Sequence, residues 1–154
     1  GQLHRNFMGY TTHADTDLIG LGVSAISNVG TTYSQSPREL AGWEAAVDGG
    51  RLPVWRGLRL DDDDVLRAEL IQQLMCHGEV DLVALCQRSG DDSQVYFADA
   101  LQRLGELQRD GLAEVDGGVV RVTATGRPLL RLLAMCFDRY LHQAGQPVRY
   151  SRAI

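Results

Sequence analysis

The stretch LAEVDGGVVRVT (Leu112–Thr123) decides how the second half of this chain folds. Apolar residues recur on either side of Asp116-Gly117, a dipeptide that tolerates positive φ at both central turn positions, so the stretch predicts a β-hairpin turning there. A hairpin needs partners for its apolar face, and the flanking sequence supplies them.

Upstream, Gln94–Asp110 reads as a helix with Phe97, Leu101, Leu104 and Leu107 on one side and Gly111 as its stop. A shorter helix is expected over Asp81–Gln87. Before it, Asp61–Asp64 places four negative charges on the first turn of a helix that runs to His77 and stops at Gly78. Leu66, Leu70 and Leu74, widened by Ile71 and Met75, form its apolar stripe. Downstream of the hairpin, Thr125 opens a last helix with Pro128 in its first turn. Leu129, Leu132, Leu133, Cys136, Phe137, Tyr140 and Leu141 supply its buried side. Gly145 and Pro147 end it, and VRYSRAI trails off. Helix, short helix, helix, hairpin, helix is the order of a winged-helix domain with a closing helix. The fold class predicted is therefore α+β, mainly helical, with 61–154 as a winged-helix-like C-terminal domain.

The first half is less regular. Residues 1–35 read as loop, a short element around Asp15–Leu21, and a buried strand GVSAIS (Gly22–Ser27) whose small apolar residues suit a parallel sheet covered on both faces. SPRE (Ser36–Glu39) has the pattern of a capping box with proline at the first helical position, which predicts a helix from Pro37 to Gly49–Gly50. Residues 51–60, RLPVWRGLRL, read as an extended connector.

Composition narrows the function. The chain has 154 residues, 44% of them apolar, enough for one ordinary domain or a small one plus an appended segment. No stretch approaches the ~20 apolar residues of a membrane span, and no export signal is evident, so a cytoplasmic protein is expected. The net charge is −5, and all fifteen basic residues are arginine. Residues 127–154 hold five arginines against Asp138 alone, a basic tail suited to an anionic small molecule. The candidate recognition helix sets Arg103 and Arg109 against Asp99, Glu106 and Asp110, a net charge that repels a nucleic-acid duplex. Cys76, Cys86 and Cys136 are widely spaced in apolar patterns and read as buried thiols, and no spacing of His or Cys matches a metal motif. Gly20–Gly22, GLG, lacks the third glycine of a dinucleotide fingerprint and reads as close packing of a strand. His13 lies in a polar cluster with Asp15 and Asp17, where a hydrogen-bonded pair is one reading and a surface histidine the other. None of these groups forms a self-sufficient catalytic site.

Four motifs converge on one family: NFMGYTTHADTDLIGLGVSAIS (residues 6–27), WRGLRL (residues 55–60), LLRLLAMCFDRYL (residues 129–141) and the ending YSRAI. Across essentially its whole length the chain resembles the C-terminal part of oxygen-independent coproporphyrinogen III oxidase (coproporphyrinogen dehydrogenase), a radical S-adenosylmethionine enzyme family. The related haem-chaperone branch, which lacks the CFDRYL and SRAI-like features, is the alternative within the family. An autonomous winged-helix binding module is the alternative outside it. The resemblance implies that residues 1–35 are a remnant of a partial (β/α) barrel, 36–60 a helix and connector, and 61–154 the C-terminal domain. It implies a [4Fe–4S] cluster, held by a Cys-x3-Cys-x2-Cys loop that this chain does not contain, and two S-adenosylmethionine molecules. Ile26 falls where the family contacts one of them. Phe7 and Met8 fall at the second, although Met8 stands where relatives carry glutamine, exchanging an amide for a thioether. The implied partners are coproporphyrinogen III and an electron acceptor, with no nucleic acid and no membrane. The intact protein is expected to be a monomer, and the chain alone inactive and open to self-association. Arg149 and Arg152 are expected to dock a propionate, since guanidinium binds carboxylate in two-point fashion.

Overall fold

The computed structural model describes residues 3–14 and 16–142. The chain is an α+β protein that divides into two compact units, Gly1–Leu66 and Arg67–Ile154, with the division inside one helix.

Unit 1 opens with a small hairpin of β1 (His4–Asn6) and β2 (Gly9–Thr11). A three-stranded antiparallel meander follows, β3 (Ile26–Val29), β4 (Thr32–Gln35) and β5 (Arg56–Arg59), in the order β3-β4-β5. The helix α1 (Leu40–Asp48) lies between β4 and β5 in sequence. Two expectations are corrected by this arrangement. The strand expected over Gly22–Ser27 starts only at Ile26, because Gly22 and Ser24 adopt left-handed φ values of 97° and 60° that an extended strand cannot hold. Its neighbour is antiparallel, since Gly30, at φ 53°, turns the chain straight back into β4. The SPRE segment does not cap α1 either, and the helix begins three residues after Pro37. The Ser36 amide donates to the Ala25 carbonyl at 2.9 Å, and the Pro37 carbonyl accepts from the Ser24 amide at 2.8 Å, so both residues extend the sheet-side pairing. The end of α1 is as predicted, with Gly49 donating to Ala45. Of residues 51–60, expected as an extended connector, Arg56–Arg59 are a paired strand, and ahead of them the Val54 amide donates to the Leu52 carbonyl at 2.9 Å in a tight turn.

The helix α2 (Asp62–His77) carries the chain into unit 2. Its start is a reciprocal cap: the Asp64 amide donates to Asp61 Oδ1 at 2.8 Å and the Asp61 amide to Asp64 Oδ2 at 3.2 Å. Gly78, at φ 74°, ends it. A three-residue strand, β6 (Glu79–Asp81), follows unannounced by the sequence. Asp81 then caps α3 (Leu82–Cys86) by accepting from the Ala84 amide at 2.9 Å. The helix expected over Gln94–Asp110 is two helices, α4 (Ser93–Tyr96) and α5 (Ala98–Arg109), broken at Phe97. The hairpin of β7 (Ala113–Asp116) and β8 (Val119–Val122) is present, but Asp116 pairs with Val119, so its turn centres on Gly117-Gly118, one residue later than predicted. Both glycines have positive φ, 56° and 87°. The resulting sheet has the order β6-β8-β7.

The last helix is also shorter than expected. After a 3-10 turn at Arg127–Leu129, α6 spans Leu130–Met135, and a second 3-10 turn, Arg139–Leu141, follows a break at Cys136-Phe137. Two arginines hold that break: Arg103 donates twice to the Cys136 carbonyl, at 3.2 and 2.9 Å, and Arg67 once to the Phe137 carbonyl, at 3.1 Å. They satisfy acceptors that a continuous helix would have satisfied itself. Leu132 and Tyr140, expected inside, are 38% and 39% exposed. The core of unit 2 gathers Leu70, Leu74, Val80, Leu82, Leu104, Val120 and Leu133, with Phe97 edge-on to Phe137 at 6.0 Å. Each such leucine contributes roughly 1.5–3 kcal/mol by leaving water. Gly145, Pro147 and the tail lie outside the described residues.

Candidate functional site

The side chains of paired residues in an antiparallel sheet share one side of it. Register therefore sets Ile26, Gln35 and Arg56 in one row, and Asn28, Tyr33 and Leu58 in the next, all on the same face of the β3-β4-β5 sheet. The tip of the β1–β2 hairpin reaches this face, where Phe7 meets Tyr33 edge-on at 5.7 Å. Two of the residues expected to touch cofactor, Phe7 and Ile26, are thus brought to one face. Met8, beside Phe7 at the hairpin tip, is 85% exposed, and its amide donates to Asn6 Oδ1 at 2.9 Å. Arg149 and Arg152 lie outside the described residues.

The face has polar features that the sequence reading missed. Asn28 Oδ1 is buried and accepts no hydrogen bond among the described residues. A buried amide oxygen in that state has acceptor capacity left for a ligand's N–H or O–H. Its row partner Tyr33 is half-buried, and that burial pushes its hydroxyl above the usual tyrosine range, so it stays a neutral donor. The loop leading to Ile26 is pinned from several sides. Gly20 donates to Ser27 Oγ at 3.0 Å, and a Cβ at Gly20 would meet the Ile26 carbonyl at 2.7 Å, which is the close packing expected of the GLG stretch. Gln35 donates through Nε2 to the Ser24 carbonyl at 3.2 Å while its Oε1 accepts from Arg56 Nε at 2.9 Å. Alternation around Tyr33 and the tryptophan before Arg56 were the available signals. Reading residues 51–60 as a connector hid the second.

His13 contacts Thr11, Nδ1 to Oγ1 at 3.4 Å, while Asp17 accepts from the Gly30 amide at 2.8 Å, so the histidine and Asp17 have separate partners. The cysteines do not form a ligand set. Cys86 and Cys136 are buried in unit 2 and burial pushes both thiols up, the opposite of what cluster ligation needs. Among the described residues no three His, Cys, Asp or Glu side chains are grouped to hold a metal ion, and no helix is long and apolar enough to cross a membrane.

Residues 60–129 match the HemN C-terminal domain family. At the scale of the whole chain, the oxygen-independent coproporphyrinogen III oxidases of Salmonella typhimurium and of Escherichia coli K12 are 45% and 44% identical over all 154 residues, and that of Pseudomonas aeruginosa is 42% identical. A solved structure, coproporphyrinogen III oxidase (HemN) from Escherichia coli, described as a radical SAM enzyme, covers 90% of this chain at 45% identity with a TM-score of 0.86. The chain therefore resembles, end to end, the C-terminal part of that enzyme family. It spans about a third of the length of these relatives, 34% for the two enterobacterial enzymes and 32% for the solved chain.

Proposed function

We propose that this chain works as the C-terminal portion of an oxygen-independent coproporphyrinogen III oxidase, which oxidatively decarboxylates two propionates of coproporphyrinogen III to vinyl groups in haem biosynthesis. The observation that carries the reading is similarity in sequence over the full chain, at 45% identity, and in structure over 90% of it, at a TM-score of 0.86. In this reading residues 1–35 belong to the late part of a partial (β/α) barrel and line the cofactor chamber together with β5, while the helix α1 and the residues up to β5 connect, and 61–154 form a winged-helix-like domain that acts as a lid. The β6-β8-β7 sheet, with α2 before β6 and α3, α4 and α5 between β6 and β7 in sequence, supports the winged-helix assignment.

The face built on β3, β4 and β5 fits S-adenosylmethionine in chemistry. Phe7 and Ile26 offer apolar contact, Asn28 Oδ1 an open acceptor and the Tyr33 hydroxyl a donor. When bound, S-adenosylmethionine supplies the radical chemistry that takes a hydrogen from the β-carbon of a propionate. The chain's own residues position and exclude water. The described cysteines do not fit a [4Fe–4S] cluster, so the cluster and its electron traffic belong to the remainder of the intact enzyme, along with the electron acceptor.

A nucleic-acid role gains no support from the candidate recognition helix. Arg103 spends its guanidinium on the Cys136 carbonyl, and Arg109 Nε donates to Gly105 of its own helix at 3.3 Å. Anaerobic reconstitution of the intact polypeptide, followed by assay of coproporphyrinogen III decarboxylation, tests the proposal. Formation of protoporphyrinogen IX is the expected result, and its absence from a cluster-loaded enzyme would overturn the assignment.

A further inference from the structure

Arg38 and Arg56 both stack on the indole of Trp55, with guanidinium carbons 5.2 and 4.8 Å from the ring centre. The two cations are therefore no more than about 10 Å apart. Neither makes an ion pair with a carboxylate among the described residues, while other arginines of the chain do, such as Arg88 with Glu69 and Arg121 with Glu79. Both cations therefore sit on one indole with terminal N–H groups that no described carboxylate takes, and an anion arriving there meets two positive charges. The Arg56 guanidinium is also held in place. Arg56 Nε is fixed by Gln35 Oε1, and Gln35 is fixed in turn by the Ser24 carbonyl. With Nε and one ring face engaged, the terminal N–H groups of Arg56 keep the fork that matches a carboxylate. Arg56 shares its row of the sheet with Ile26, so this cationic pair borders the face described above.

We propose that Arg38, Trp55 and Arg56 form a carboxylate-binding subsite, in which the indole presents two guanidiniums to one anionic group. The class of ligand follows from the donors: planar forks with no acceptor on them select a planar anion over a neutral or cationic group. That the carboxylate is a propionate of the porphyrinogen rests on the function proposed above. The carboxylate of the S-adenosylmethionine methionyl group offers the same chemistry from a second source.

The test uses the intact, cluster-loaded enzyme under anaerobic conditions without reductant, so that binding is read without turnover. Dissociation constants for coproporphyrinogen III and for S-adenosylmethionine are measured for the unaltered enzyme and for Arg38→Ala, Arg56→Ala and Arg56→Lys, with far-UV ellipticity as the folding control. The expected result is about a tenfold weaker affinity for coproporphyrinogen III in each alanine variant, as for loss of one charge-assisted contact. Arg56→Lys is expected to fall between, because it keeps the charge and loses the fork. Unchanged porphyrinogen affinity combined with weakened S-adenosylmethionine affinity would keep the subsite and assign it to the cofactor. Unchanged affinity for both ligands in both alanine variants would overturn the subsite. A cluster-loaded enzyme that decarboxylates nothing, yet shows the arginine-dependent binding, would overturn the proposed function and leave the subsite standing.

Discussion

Arg103 joins a surface helix to the interior through two hydrogen bonds on one carbonyl, that of Cys136. Its removal leaves a buried acceptor unsatisfied at the point where α6 ends. Arg103→Ala is expected to lower the unfolding free energy by about 1–3 kcal/mol, read as a shifted urea midpoint, with Arg103→Lys recovering part of it. The same guanidinium bears on the thiol beside it. Burial pushes the Cys136 thiol up, and the positive charge of Arg103 opposes that push; Cys86 is also raised by burial, with Asp91 and Asp92 adding to it. A raised thiol keeps its proton in the folded chain at a pH where the unfolded chain has lost it. Its stabilising contribution is whole below the ordinary thiol value of 9.0 and declines as pH rises past it. Urea midpoints are expected to fall across that range, and Cys136→Ala to flatten the fall. A midpoint in Cys136→Ala that declines as steeply as in the parent would remove this thiol as a cause.

At the scale of elements, the turn between β7 and β8 is locked to its surroundings. A Cβ at Gly118 would lie 2.6 Å from Val83 Cγ2, at a φ of 87° that side chains rarely adopt. Gly118→Ala is expected to cost roughly 1–3 kcal/mol through overpacking and backbone strain together. Combining it with Val83→Ala separates the two, because only the overpacking share is returned, and a double-mutant cycle of thermal melts measures it. Strictly additive melts would show that strain alone is at work. The hairpin was legible because period-2 alternation and a glycine turn are strong local signals, although two adjacent glycines left the turn's centre ambiguous by one residue. Helix α2 was legible through its aspartates and its leucine stripe. Strand β6 was not, since Glu79-Val80-Asp81 has one inward residue and becomes a strand only by pairing with β8, which is remote in sequence. The break after Met135 was hidden for a related reason. The apolar period continues through Tyr140, and Arg67 and Arg103, donated from other helices, help to make the interruption tolerable. In the candidate site, Ile26 and Phe7 were found by resemblance, whereas Asn28, Tyr33 and Arg56 came to notice only through register.

For the whole chain, the two units differ in how they are held. Among the described residues, Ala46 is the one buried apolar residue of unit 1, whereas Leu21, Leu52 and Met8 there are 88%, 85% and 85% exposed. Unit 2 holds the leucine and phenylalanine core. Native-state hydrogen exchange is expected to show amides of β6, β8, α2 beyond Arg67 and α5 exchanging at least about tenfold more slowly than those of β3 and β4. Equal protection in the two units would contradict the picture of a core confined to the second. Exposed apolar side chains of this kind suit a surface that another surface covers, in keeping with the proposed chamber wall.

The indoles follow the same division. Both tryptophans of the chain, Trp43 and Trp55, belong to unit 1, while most helical residues belong to unit 2. Fluorescence emission and far-UV ellipticity are thus reporters of different halves of one polypeptide. A denaturation curve followed by emission alone records the weaker half, and superposition of the two traces would be a direct sign that the halves melt as one cooperative body.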